Sequence, residues 1–203
     1  MAKASQGFLS GLVGKWVEVF LHPTRFFKKE NKAKNLGYAV KGAAVAGVIT
    51  AVITLIAAGS EVQLSSLLGQ YTWPIYIVGS LIIGSIGSIL GLIIASFIFY
   101  IFARALGGKA TYTSQTHTLM FPMAAVGIVS TIVALIPIIG WVLAALMAIY
   151  NLYLLTAALK NTHKYTIGKA ILTWLIPVLI ITVLILIVVA LATWAGLFVL
   201  SAA

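Results

Sequence analysis

The stretch AILTWLIPVLIITVLILIVVALATWAGLFVL, residues 170–200, runs for 31 residues without a charged side chain. A helix of that length, at about 1.5 Å per residue, measures about 46 Å, against the roughly 30 Å of a bilayer's hydrocarbon core. An uncharged run this long is a membrane span, not the core helix of a small globule. Pro177 interrupts it, removing one backbone hydrogen bond and predicting a bend.

Working outward, four more apolar runs cover residues 37–58, 73–103, 115–136 and 141–159. Lys41 falls near the start of the first, where its flexible stem reaches back to the headgroups. The second is again 31 residues long and must tilt, kink or protrude. Pro137 and Gly140 set a tight turn that makes the third and fourth a hairpin. The composition agrees, with 62% hydrophobic residues, 8% charged and a mean hydropathy of +1.14. The expected fold is all-α, a polytopic membrane helix bundle with five transmembrane helices over residues 36–203 and an N-terminal amphipathic helix in a cytoplasmic segment, residues 1–35.

On a helical wheel Phe8, Leu9, Leu12, Val13, Trp16, Val17, Val19 and Phe20 occupy one half, and Ser10, Gly11, Gly14, Lys15 and Glu18 the other. Such a helix is too short and too charged to span. Its apolar stripe suits two burials, flat in the headgroup region or against the cytoplasmic face of the bundle. Lys15 and Glu18 break the run that a cleavable signal would need, so the segment is expected to be retained. His22-Pro23 ends the helix.

Thirteen cations are distributed very unevenly. Lys3, Lys15, Arg25, Lys28, Lys29, Lys32, Lys34 and Lys41 precede or open the first span; Arg104 and Lys109 lie between the second and third; Lys160, Lys164 and Lys169 lie between the fourth and fifth. The other segments between spans carry none. Short loops rich in Lys and Arg stay in the cytoplasm, which predicts a cytoplasmic N-terminus and a C-terminus outside. The expected contact surface for anionic membrane lipid or a protein partner is therefore Arg25, Lys28, Lys29, Lys32, Lys34, Arg104, Lys109, Lys160 and Lys164. Charge without a recognition motif does not make a nucleic-acid surface, and none is expected.

Catalytic chemistry is not legible. The acids Glu18, Glu30 and Glu61 all fall outside the spans, which argues against a carboxylate-coupled pump and against magnesium held by clustered acids. His22, His117 and His163 sit on separate segments, cysteine is absent, and no GxSxG turn occurs. No enzyme, cofactor or metal site is expected.

Small residues recur every four positions: Ala43, Gly47 and Ala51 in the first span, Ser80, Gly84 and Ser88 in the second, and Gly87, Gly91 and Ala95 beside them. Such ridges let helix backbones approach closely in lipid, within one bundle or across a homo-oligomer interface. Gln115, His117 and Asn151 are the intramembrane polar candidates, with an interhelical hydrogen bond expected for Asn151. The alternative is a small transporter or channel for a neutral or lipidic solute, marked by a polar cavity near Asn151.

The order HPTRFF, ARALGG followed by Tyr112, Phe121-Pro122, IPIIGW and LKNTHKYTIGKA resembles the Yip family, over roughly residues 21–189. These five-span proteins are named for interaction with Ypt/Rab GTPases, and the short N-terminus here is similar to that of compact bacterial and archaeal members. The resemblance implies a cytoplasmic N-terminus and a non-enzymatic scaffold or adaptor role in membrane organisation or traffic.

Overall fold

A computed structural model describes residues 7–30, 35–58 and 73–202. The loop carrying Glu61, and Lys3, Lys32 and Lys34 with it, lies outside the described residues. Seven helices are described: α1 (Phe8–Leu21), α2 (Pro23–Glu30), α3 (Leu36–Ala58), α4 (Trp73–Ala105), α5 (Tyr112–Val133), α6 (Ile139–His163) and α7 (Ile167–Ala202), with no strand among the described residues. The last five are long and apolar enough to cross a membrane.

Their ends are set by local chemistry that the apolar runs do not display. Asn35 caps α3 by accepting from the Tyr38 amide at 2.8 Å, Thr111 caps α5 through the Ser114 amide at 3.3 Å, and Thr166 caps α7 through the Lys169 amide at 3.5 Å. Consequently α5 starts three residues before the expected 115 and also ends three before the expected 136. Gly107, at φ 86°, stops α4: its amide bonds Arg104 O at 3.0 Å and the Gly108 amide bonds Ala103 O at 2.7 Å, a Schellman closure. Lys164 ends α6 in the left-handed region, five residues beyond Leu159, the last apolar residue of the run.

Pro23, which was expected to end a helix, also begins one. It occupies the first position of α2, where its missing N–H costs nothing.

The core is built around α5. It packs against α1, α3, α4 and α6, and 56% of its most apolar stretch is buried, against 6% for α7. Hydropathy explains the choice: α5 is the least apolar span at 1.5 and α7 the most at 3.3, so the polar span takes the protein interior and the greasy one takes the lipid. Helices α3 and α4 meet along the small ridges. A Cβ on Gly47 would overlap Gly84 O and Ser88 Oγ, and Ser88 Oγ donates to Ala43 O at 2.7 Å.

Helix α1 crosses the bundle. Phe8 meets the Tyr38 ring of α3 at 5.4 Å and Phe20 meets the Tyr150 ring of α6 at 5.2 Å, with α5 beneath. Its 14 residues, about 21 Å, match two interhelix spacings of about 8–10 Å each. The apolar half of the wheel is divided: Leu12, Trp16 and Val19 are buried in the bundle, whereas Phe8, Leu9, Val13 and Val17 are exposed, as is the adjoining Leu21.

Candidate functional site

Five consecutive polar residues, Ser114 to Thr118, lie in the first two turns of α5, and all are buried. Burying them demands partners: Thr118 Oγ1 donates within α5 to Ser114 O, and other segments supply those of Gln115, Thr116 and His117 in two groups.

On one side, Gln115 Nε2 donates to Ser96 O of α4 at 2.7 Å, and Ser96 Oγ shares a 2.7 Å bond with Thr116 Oγ1. Gln115 Oε1 lies 2.7 Å from His163 Nε2, at the last residue of α6, while the Ala110 amide donates to His163 Nδ1 at 3.4 Å. Since Nδ1 accepts, Nε2 carries the proton and donates to Gln115, whose amide orientation is fixed by Ser96. Gly108 is required here, because a Cβ would run into the His163 ring and sit 2.7 Å from Ala103 O. Arg104 Nη1 closes the same turn on Gly108 O at 3.0 Å, and Tyr165 stacks on His163 with centroids 5.3 Å apart.

On the other side, His117 Nδ1 lies 3.0 Å from Asn35 O, and Nε2 lies 3.2 Å from Glu30 Oε1. Both oxygens only accept, so both ring positions call for an N–H donor. Lys15 Nζ reaches the same Glu30 oxygen at 2.5 Å, and stands 5.0 and 5.3 Å from the ring centroids of Tyr38 and Phe121. Hydrogen bonds from His117, and with them Lys15, hold the Glu30 carboxyl at about 2 against the opposing effect of burial. Phe26 and Phe27 of α2 are fully buried next to this group, and Phe26 meets Phe121 at 4.9 Å. The Tyr150 hydroxyl donates to Phe20 O.

Apart from Arg104, whose guanidinium closes the Gly108 turn, the expected surface cations separate from this buried chemistry. Arg25, Lys28, Lys29, Arg104, Lys109, Lys160 and Lys164 are exposed. Arg25, Lys28 and Lys29 form the outer face of α2, opposite Phe26, Phe27 and Glu30. The turns carrying Lys109 and Lys164 meet through the Ala110–His163 contact, at the end where α4 and α6 stop and α5 and α7 start. Gln115 and His117 lie at that same end, one in each polar group. Asn151 does not join them. Its Oδ1 is buried with no hydrogen-bond partner among the described residues.

Sequence reading missed Lys15, Glu30, Asn35, Ser96 and His163 as members of the site. A separation of 87 positions from Glu30 to His117 leaves no local spacing to read. One signal was present: a span holding SQTHT is too polar to face lipid and must face protein.

The fold and this buried polar centre define a multi-pass integral membrane protein with an N-terminal helical hairpin docked on its five spans. The model of the Yip1 domain matches residues 17–191, and the chain belongs to that family. Neither a curated protein nor a solved structure matches it. Phe26, Gly108, Phe121, His163 and Tyr165, which all fall in the quoted motifs, are the residues that close the two polar groups.

Proposed function

We propose that this protein is a non-enzymatic membrane scaffold whose basic end faces the cytoplasm and holds anionic lipid headgroups, presenting the α1–α2 hairpin to a protein partner. The observation that carries this reading is the double-sided hairpin. Leu12, Trp16 and Val19 anchor α1 on the bundle, Leu9, Val13, Val17 and Leu21 form an uncovered apolar stripe, and Arg25, Lys28 and Lys29 stand exposed on the adjoining helix. An apolar stripe beside three cations suits the boundary between acyl chains and anionic headgroups. Each cation close to a charged leaflet contributes about 1 kcal/mol. Lys32 and Lys34 extend the same basic segment in the sequence.

Two measurements test it. The chain has no cysteine, so single substitutions Lys109→Cys and Lys164→Cys in sealed vesicles report sidedness with an impermeant maleimide. Labelling from the extracytoplasmic side refutes the orientation. In nanodiscs of mixed phosphatidylglycerol and phosphatidylcholine, the triple change Arg25→Gln, Lys28→Gln, Lys29→Gln is expected to reduce the retained anionic lipid severalfold, and an unchanged lipid ratio refutes the headgroup contact.

A further inference from the structure

A groove of about 330 Å³ lies between α3, α4 and α5, lined by Gly47, Ser88, Gly91, Met123, Gly127 and Thr131 among others. It arises because the small ridges are only partly used for helix contact. Gly47 and Gly84 are pressed together, but a Cβ on Gly91 or on Gly127 would meet nothing within 4 Å. Gly91 is exposed, so the groove opens to the surface of the bundle. From Met120 to Thr131 its wall follows α5 for about 16 Å, inside the membrane-spanning stretch.

Its chemistry selects the occupant. Every lining hydroxyl is already donating to backbone: Thr50 to Gly47 O at 3.0 Å, Ser88 to Ala43 O at 2.7 Å and Thr131 to Gly127 O at 2.9 Å. No donor is left for a polar solute, and a water molecule needs two to four polar partners that this wall does not offer. An empty groove would forfeit the dispersion contacts of its lining. At about 30 Å³ per unit, the share of one water in the liquid, the space takes on the order of ten methylene-sized groups. The medium around these helices is acyl chain, and the groove begins beside Met120, one residue from Phe121 and the Lys15–Glu30–His117 group.

We infer that this groove is a binding site for a single acyl chain of a membrane phospholipid. The flexible thioethers of Met120 and Met123 mould to the chain, and the glycines give it depth. The site requires only that the spans lie in a bilayer. It stands whether or not the hairpin holds anionic headgroups.

The test uses the full-length protein in phosphatidylcholine vesicles containing a phosphatidylcholine that carries a mid-chain diazirine, with photoadducts mapped by mass spectrometry. Adducts at Met123 are expected to saturate with probe concentration, unlike those on the lipid-facing α7. Gly91→Leu and Gly127→Leu, on different helices and both with open space at Cβ, are each expected to lower the Met123 adduct at least tenfold relative to α7. Gly87→Leu, whose Cβ also meets nothing and which does not line the groove, is expected to leave it unchanged. Absence of the Met123 adduct in the unsubstituted protein, non-saturating labelling, or an adduct that survives both filling substitutions overturns the assignment. Circular dichroism and gel filtration of each variant establish that a lost adduct reflects a filled groove and not a lost fold; a variant that fails this check is replaced by the smaller Gly→Val change at the same position.

Discussion

Replacing Glu30 by Gln removes the carboxylate that joins the hairpin to His117 of α5. The carboxyl sits at about 2 in the folded protein against an ordinary 4.5. At about 1.4 kcal/mol per pKa unit, that difference corresponds to about 3 kcal/mol of folded-state stabilisation. Lys15 is 34% exposed, so solvent screens its share, and about 2 kcal/mol is assigned to docking. The cysteine-free background makes the opening measurable: Val19 is 0% exposed on the docked face of α1, and Val19→Cys reacts with maleimide only when the hairpin lifts. Adding Glu30→Gln is expected to accelerate labelling about thirtyfold, since about 1.4 kcal/mol is a factor of ten. His117→Ala should give a similar acceleration alone and little more in combination, because both changes break one contact. Lys29→Gln, which loses only a 3.8 Å pair with Glu18 at the surface, should change the rate less than twofold. Equal rates for the parent and the Glu30→Gln variant would refute the reasoning.

Glu30 also sets a pH window. Its folded value is depressed, so its contribution is complete above about 4.5 and is lost as pH falls toward about 2; the labelling ratio of Val19→Cys to the exposed Val17→Cys should be flat from pH 7 to 5 and climb below 4.5. Gly47→Ala forces a Cβ onto the backbone of α4 and should lower unfolding stability in mixed SDS micelles by about 1–3 kcal/mol, while Gly87→Ala should be neutral within about 0.5 kcal/mol. Ile138, 85% exposed, holds φ 62° in the α5–α6 turn with the Ile139 amide 2.6 Å from Pro137 O, a strained γ-turn for a β-branched residue. Ile138→Gly relieves strain of about 1–3 kcal/mol against a glycine entropy cost of about 0.5–1, so a net gain in the same unfolding assay is expected.

Spans and charge distribution were readable residue by residue because both depend on local composition: an uncharged run of residues 170–200 has no other stable home than a bilayer. The ridges Ala43–Gly47–Ala51 and Ser80–Gly84–Ser88 were visible as well, since close packing needs only a four-residue period. Helix ends were less legible. Thr111 and Thr166 act through single side-chain bonds that leave no trace in hydropathy.

What the amino-acid order alone determined is which segments enter the membrane and where positive charge collects, for those follow from transfer free energies of each stretch taken by itself. The tertiary structure alone decided that Glu30, outside every span, turns back onto His117, that His163 closes on Gln115, and that a Cβ on Gly91 or Gly127 would enter open space while one on Gly47 would strike α4. These outcomes depend on which segments surround α5: Gln115, Thr116 and His117 find partners far away in the sequence, which no local pattern names.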